Sequence, residues 1–160
     1  MITIRRATTL DAGPLAELLN DIIAAGGTTA MTLPVTAAYI REMMDYAPDQ
    51  SAWHVALEGG TLCGFQFIEP QDNLPPEACS IATFVRIGRT GLGIGSTLFN
   101  ATAEAAKELR YDWINAEIRA DNEGGVIYYQ SRGFRDYGRI NRVKLGSGLI
   151  VDKVLKRYDI

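Results

Sequence analysis

The stretch "RIGRTGLGIGSTLFNA", residues 86–101, decides the fold because it joins a predicted strand to a predicted helix through a glycine-rich turn. Its glycines, Gly88, Gly91, Gly93 and Gly95, fall close together. A helix begins with backbone N–H groups that lack helical partners and with about half a positive elementary charge, so it attracts phosphate oxygens. Glycine leaves that approach unobstructed. The stretch therefore predicts a strand, then an anion site, then a helix.

The turn, Thr90–Ser96, excludes two familiar nucleotide sites by its spacing. A P-loop needs a lysine before its Ser or Thr, and this turn contains none. The dinucleotide fingerprint needs Gly or Ala at the position of Ser96 and normally follows a first strand. Alternating glycines would instead let several N–H groups converge on one anion, while Leu92 and Ile94 turn into the core. A turn that needs glycine for its geometry alone stays as the alternative.

Hydrophobic periodicity predicts the elements on either side of the turn. The residues before it are typical of a strand, two helices and three strands, and those after it of a helix, a strand, a short helix and two strands. Asp11 stands where it could cap the first helix. This order predicts an α/β fold with one mixed, mostly antiparallel sheet of about seven strands and helices on both faces. Residues 1–160 form a single domain on this interpretation.

Composition narrows the classes of function. The chain is 47% hydrophobic and 22% charged with a net charge of -3, and its Lys and Arg residues are scattered, which excludes a nucleic-acid footprint. Cys63, Cys79 and the single His54 have no zinc or disulfide spacing, so we expect no metal and a packed His54. No run approaches the ~20 apolar residues of a membrane span, and no signal peptide is evident, so a cytoplasmic location is the default expectation.

Two motifs make the chain similar to the GNAT family, the GCN5-related N-acetyltransferases. The family's turn, Gln/Arg-x-x-Gly-x-Gly, binds the pyrophosphate of acetyl-coenzyme A and resembles Thr90, Gly93 and Gly95, with Thr90 replacing the usual Gln or Arg. Arg89, one residue earlier, is the candidate substitute. The pieces "GRTGLG" and "GSTL" within residues 86–101 are also similar to the phosphinothricin-type branch of the family.

The second motif is "NEGGVIYYQSRGF", residues 122–134, which resembles the family's N-x-x-A-x-x-x-Y-x-x-x-G-F. Asn122 and Tyr129 match, and Gly125 replaces the usual Ala. The resemblance implies direct transfer of an acetyl group from acetyl-coenzyme A to a primary amine of a small or amino-acid-like acceptor, with no metal. The implied cofactor-binding residues are Thr83, Phe84, Val85, Thr90, Gly91, Leu92, Gly93, Ile94, Gly95, Ser96 and Asn122. A strand N–H near Phe84 or Val85 would stabilise the charge on the thioester oxygen.

The resemblance gives Tyr129 the role of the acid that protonates the leaving sulfur, and a phenol stays protonated at neutral pH. Neighbouring helical residues point about 100° apart, so we expect Tyr128 and Tyr129 not to face the cofactor together. Aromatic packing is the alternative for both. In the phosphinothricin-type branch a glutamate that can act as the general base lies where this chain has Ser80. The candidate base here is therefore Glu69, which ends a strand beside a predicted cleft, and water is the alternative.

The loop at residues 26–32 lies where the family closes its acceptor site, so Thr28, Thr29 and Met31 are the candidate substrate contacts. An ordinary polar loop is the alternative. Two other functions stay open from the sequence: a non-catalytic sensor of acyl-coenzyme A and a nucleotide-binding oxidoreductase. Edge strands near the C-terminus would allow a homodimer.

Overall fold

The computed structural model describes residues 1–160 and contains seven strands, four α-helices and two single-turn 3-10 helices. The strands are β1 (Ile2–Arg6), β2 (Ala52–Glu58), β3 (Thr61–Glu69), β4 (Ala78–Val85), β5 (Trp113–Arg119), β6 (Arg135–Lys144) and β7 (Ile150–Asp159). The helices are α1 (Ala12–Ala25), α2 (Ala37–Asp45), α3 (Ile94–Glu108) and α4 (Glu123–Ser131).

The strands form one sheet in the order β1-β2-β3-β4-β5-β7-β6. Every neighbouring pair is antiparallel except β4 and β5, which are parallel and are joined by the crossover through α3. This confirms the predicted α/β class, the mixed sheet and the order of the elements. β6 forms one edge of the sheet and is exposed along most of its length.

Helices cover both faces of the sheet, as the sequence predicts. On one face α1 and α2 pack on aromatic side chains of β2, β3 and β4. The residues of this core are Leu15, Leu18, Leu19, Ile22, Ile40, Trp53, Val55, Phe65, Phe67 and Phe84. On the other face α3 and α4 pack on the alternate residues of the same strands and on β5, among them Ile68, Ile81, Ile114 and Ile118.

α3 lies directly on β3, and one glycine allows this close approach. A Cβ atom on Gly64 would lie 3.1 Å from Cγ2 of Ile94 and 3.5 Å from Cδ1 of Leu98. The buried Ile94 agrees with the sequence prediction, but Leu92 is 57% exposed, so its predicted inward position is wrong. The physical reason is that α3 begins only at Ile94, so Leu92 lies in the turn before it and not on the helix face that packs on the sheet.

The remaining local predictions have mixed outcomes. Asp11 occupies the N-cap position of α1 but does not cap it through its side chain, because its carboxylate binds the guanidinium of Arg5 and the backbone N–H of Thr8. Cys63 and Cys79 are free and buried. His54 is 7% exposed, so it is packed as predicted. Burial lowers its pKa to about 4, with a smaller contribution from Arg6, which leaves the imidazole uncharged at neutral pH. No helix combines the length and apolarity that crossing a membrane requires.

Candidate active site

The parallel pair of strands separates partway along its length. β4 and β5 pair only from Ala78 opposite Trp113 to Ser80 opposite Asn115, whereas β4 stays paired with β3 as far as Val85. We call the gap between residues 81–85 of β4 and residues 116–119 of β5 the split. The edge of β4 in the split has no strand partner, and such an edge can hold an extended ligand by its backbone groups. The predicted residues Thr83, Phe84 and Val85 lie on this edge.

The glycine turn follows β4 at the open end of the split. None of the backbone N–H groups of Thr90–Ser96 donates a hydrogen bond within the protein, and the first that does is Thr97, to the carbonyl oxygen of Gly93 at 3.1 Å. Gly91 and Gly93 have φ values of 81° and 82°, and a Cβ atom on either would enter open space. We call Thr90–Ser96 the cradle. Its free N–H groups at the start of α3 suit an anion.

Gly95 is a glycine for a different reason from its neighbours. Its φ is not positive, but a Cβ atom there would lie only 2.6 Å from Cε1 of Tyr128. The Tyr128 hydroxyl donates a 2.7 Å hydrogen bond to the carbonyl oxygen of Gly95. The glycine therefore makes room for a tyrosine of α4 against the first turn of α3, which periodicity could not reveal.

The arginines beside the cradle are both engaged with the protein. Arg89, the candidate substitute for the Gln or Arg missing at Thr90, forms an ion pair with Glu58 at the end of β2. Arg86 donates from Nε and Nη2 to the carbonyl oxygen of Leu62, at 2.9 and 2.7 Å. In this arrangement neither guanidinium lies free for an anion, so the cradle offers backbone N–H groups as its main donors.

Tyr129 reaches the split from α4. It is 7% exposed, and its hydroxyl oxygen lies 2.8 Å from Oγ1 of Thr83 on β4. Burial raises the pKa of the Tyr129 phenol, and the hydrogen bond with Thr83 lowers it in part. The phenol therefore carries its proton at neutral pH, as a proton donor must.

Both tyrosine hydroxyls of α4 join one network, although their Cα–Cβ bonds point in different directions. Nε2 of Gln66 donates to the Tyr128 hydroxyl at 3.0 Å and to Oγ1 of Thr83 at 2.8 Å, and Thr83 in turn contacts Tyr129. The Tyr128 hydroxyl points to the carbonyl oxygen of Gly95, so the expectation that the two tyrosines do not face the cofactor together stays a prediction. Gln66, which the sequence analysis did not single out, is the centre of the network.

Asn122 forms the N-cap of α4. Its Oδ1 accepts from the backbone N–H of Gly125 at 3.0 Å, and its Nδ2 donates to the carbonyl oxygen of Thr28 at 3.1 Å. A Cβ atom at Gly125 would lie 2.5 Å from Nδ2 of Asn122 and 3.1 Å from Cγ2 of Ile118, so the glycine leaves room for the Asn122 amide in this position. The amide thus fastens α4 to the α1–α2 loop, and its predicted contact with the cofactor stays a prediction.

The α1–α2 loop is also held by a residue that the sequence analysis missed. Arg119, 5% exposed at the end of β5, makes a bidentate pair with Asp121 and donates to the carbonyl oxygen of Thr29 at 3.1 Å. Met31 packs against the core beneath α1 and α2. The loop of Thr28, Thr29 and Met31 therefore lies at the β5 side of the split, where an acceptor contact is feasible.

Glu69 lies at the closed end of the split. It is the register partner of Ser80, the last residue at which β4 and β5 still pair. Its side chain lines a cavity of about 570 Å³ together with Tyr39, Tyr46 and Asp72. Burial raises the pKa of the Glu69 carboxyl to about 7, which suits a base that works near neutral pH. Glu117, another carboxylate on this part of the sheet, is paired with Lys153.

A second polar group lies beside Glu69 on the same face of the sheet. Nδ2 of Asn115 donates to Oγ of Ser80 at 3.4 Å, and the Tyr137 hydroxyl donates to Oδ1 of Asn115. Asn115 is buried, and these two hydrogen bonds give its amide nitrogen and its oxygen a partner each. The site therefore combines an anion cradle, an open strand edge, a buried phenol and a carboxyl whose pKa is near 7.

Comparisons with known proteins agree with this geometry. The model of the acetyltransferase (GNAT) family matches residues 20–134. A search of curated proteins found no match. A ribosomal-protein-alanine N-acetyltransferase from Brucella melitensis has the same fold at 22% identity, with a TM-score of 0.89 over 99% of each chain.

Two further solved structures extend the comparison. An N-acetyltransferase from Staphylococcus aureus Mu50 is 22% identical, covers 99% of this chain and 98% of its own, and has a TM-score of 0.88. A GNAT phosphinothricin acetyltransferase from Sinorhizobium meliloti, solved with acetyl-coenzyme A, is 17% identical, with 99% and 88% coverage and a TM-score of 0.88. At these identities the likeness concerns the fold. The family match spans the split, the cradle and α4, and the chain therefore belongs to the GNAT family of acetyltransferases.

Proposed function

We propose that the protein transfers an acetyl group from acetyl-coenzyme A to a primary amine of a small molecule or an amino-acid-like acceptor. The observation that carries the proposal is the cradle, where every backbone N–H of Thr90–Ser96 lacks an acceptor in the protein. Such a run at the start of a long helix suits the pyrophosphate of coenzyme A. The cradle continues into the split, whose open β4 edge would take the extended pantetheine arm.

The two titratable side chains of the site would share the proton transfers. Acetyl-coenzyme A supplies an acyl group activated as a thioester. As the C–N bond forms and the C–S bond breaks, Glu69 or a water molecule beside it would take the proton of the amine, and Tyr129 would give its proton to the sulfur. A pKa near 7 at Glu69 supports its role as the base, and the raised pKa of Tyr129 means that the phenol still holds a proton to give when the sulfur departs.

Replacement of the candidate base tests one half of this scheme. We expect the activity of the wild type to rise with pH through about 7, because the Glu69 carboxyl must be ionised to accept a proton. Glu69→Gln should lower kcat at pH 8 about tenfold, the modest size reflecting water as a substitute base, and should remove that limb of the pH profile. Steady-state rates from pH 5.5 to 9 measure both effects. An unchanged profile in the variant would leave water as the base.

The same substitution has an opposite effect on stability. The folded-state pKa of Glu69 is raised, so its contribution to stability is fully present below the ordinary pKa of 4.5 and is lost as pH rises through about 7. Glu69→Gln removes that loss, and we expect the variant to be more stable than the wild type at pH 8 by about 1 to 2 kcal/mol, with little difference at pH 4.5. Urea unfolding at the two pH values provides the comparison.

An acceptor screen tests the function as a whole. Primary amines, including amino acids, their amides and simple alkylamines, are incubated with acetyl-coenzyme A, and the released thiol is measured. We expect turnover with at least one of these amines. Tight binding of acetyl-coenzyme A without turnover on any amine would favour the sensor, and thermal stabilisation by NADH but not by acetyl-coenzyme A would favour an oxidoreductase.

A further inference from the structure

A continuous chain of hydrogen bonds connects the cradle to the hydroxyl of Tyr129 through the protein interior. The carbonyl oxygen of Gly95 binds the Tyr128 hydroxyl at 2.7 Å, and that hydroxyl binds Nε2 of Gln66 at 3.0 Å. The same Nε2 lies 2.8 Å from Oγ1 of Thr83, which lies 2.8 Å from the Tyr129 hydroxyl. The four links involve α3, α4, β3 and β4, so the chain exists only in the folded domain.

The first link fixes the direction of the next two. A backbone carbonyl only accepts, so Tyr128 must give its proton to Gly95, and the oxygen of Tyr128 is left as an acceptor. Gln66 must then present its amide nitrogen rather than its oxygen. Its two N–H bonds serve the two hydroxyls, one to Tyr128 and the other to Thr83.

This orientation leaves an unpartnered atom in the core. Gln66 is 0% exposed, and its Oε1 has no hydrogen-bond partner in the protein. Its register partner His54 and the buried Thr102 of α3 do not supply one either, since His54 Nδ1 and Thr102 Oγ1 are also without partners. A buried amide with an unsatisfied oxygen destabilises a protein relative to an apolar side chain of the same shape. Stability therefore does not explain glutamine at this position.

We propose that Gln66 is a positioning residue for Tyr129, an inference that rests on the proposed function. Gln66 donates to Thr83. Either hydroxyl can be the donor in the Thr83–Tyr129 bond, and in the proposed arrangement Thr83 gives its proton to the Tyr129 oxygen, so that the Tyr129 O–H points into the split. When Tyr129 gives its proton to the leaving sulfur, the Thr83 hydroxyl stabilises the phenolate, which then regains a proton from water. Hydrogen bonds in such a chain polarise one another and favour the proton transfer.

Removal of the amide tests this role with little change of shape. Gln66→Met should lower kcat about tenfold, the equivalent of one buried hydrogen bond, with the KM for acetyl-coenzyme A unchanged. Because the variant also removes the unpartnered oxygen, we expect its thermal midpoint to equal or exceed that of the wild type. Thr83→Val interrupts the chain at the next residue and should lower kcat to a similar or greater extent. Thr102→Val makes the same exchange on α3, outside the chain, and should leave kcat at the wild-type value.

A double-mutant cycle distinguishes action through Tyr129 from a general disturbance of the site. If Gln66 acts through Tyr129, Gln66→Met should have no further effect on kcat in a Tyr129→Phe background. An additional tenfold loss in that background, or a wild-type kcat for Gln66→Met alone, would overturn the inference. A wild-type kcat for Tyr129→Phe itself would instead refute the acid role in the proposed function, so the two failures are separable.

Discussion

Tyr129→Phe should lower kcat about 100-fold while the affinity for acetyl-coenzyme A stays near the wild-type value, since general-acid catalysis typically contributes at least that much. The ring would keep its packing against Phe134, 5.1 Å away between ring centroids, so α4 should hold its place. The substitution removes the hydroxyl proton of Tyr129, which ends the hydrogen-bond chain from Gln66 through Thr83. Burst and steady-state measurements, together with calorimetric titration of acetyl-coenzyme A, separate the two quantities.

Tyr111→Phe is the control for loss of a buried hydroxyl. Tyr111 is also 7% exposed, and its hydroxyl donates a 2.5 Å hydrogen bond to the carbonyl oxygen of Gln50, away from the split. The control should lose about 1 kcal/mol of stability and little activity. If Tyr129→Phe turns over as fast as the control, Tyr129 is not the acid, and water reaching the split would have to protonate the sulfur.

The sequence predicts the fold well because periodicity records which side of each element faces the core. Leu15, Leu18 and Leu19 recur at helical spacing, and α1 buries all three. Leu92 is the counterexample. It alternates with glycines in the same way as Ile94, but a turn outside the sheet has no core face for a side chain to enter. Pattern alone does not tell where the regular element begins.

The candidate site is predictable only where a residue's role is local. The spacing of the glycines identifies the cradle in the sequence. Gln66, Arg119 and Asn115 cannot be identified in this way, because a polar residue in a strand is normally predicted to face solvent. The sequence does contain one sign that Gln66 is unusual, because it lies between Phe65 and Phe67. In the structure residues 63–68 of β3 are all buried. Its partners come from α4 and β4, far along the chain, and no local pattern contains that information.

Gly93→Ala should raise the Kd for acetyl-coenzyme A about 30-fold or more, with kcat at saturating cofactor changed much less. Gly93 is the N-cap residue of α3 with a φ of 82°, where an alanine is strained by about 1 to 2 kcal/mol. Relief of that strain would rotate the neighbouring peptide groups and turn one or two N–H donors of the cradle away from the pyrophosphate. Hydrogen bonds to charged groups are worth about 1.5 to 3 kcal/mol each, which gives the expected loss of affinity.

Gly148→Ala is the matched control, because it also places an alanine at a positive φ but lies outside the cradle. Gly148 has a φ of 93° in the β6–β7 turn, and a Cβ atom there also enters open space. Both variants should therefore lose a similar amount of stability in urea unfolding, while only Gly93→Ala loses affinity for acetyl-coenzyme A in calorimetric titration. Equal affinities in the two variants would mean that Gly93 is required for the shape of the turn alone. A loss confined to Gly93→Ala would instead show that the conformation of the free N–H groups, rather than the stability of the domain, determines how the cradle binds its anion.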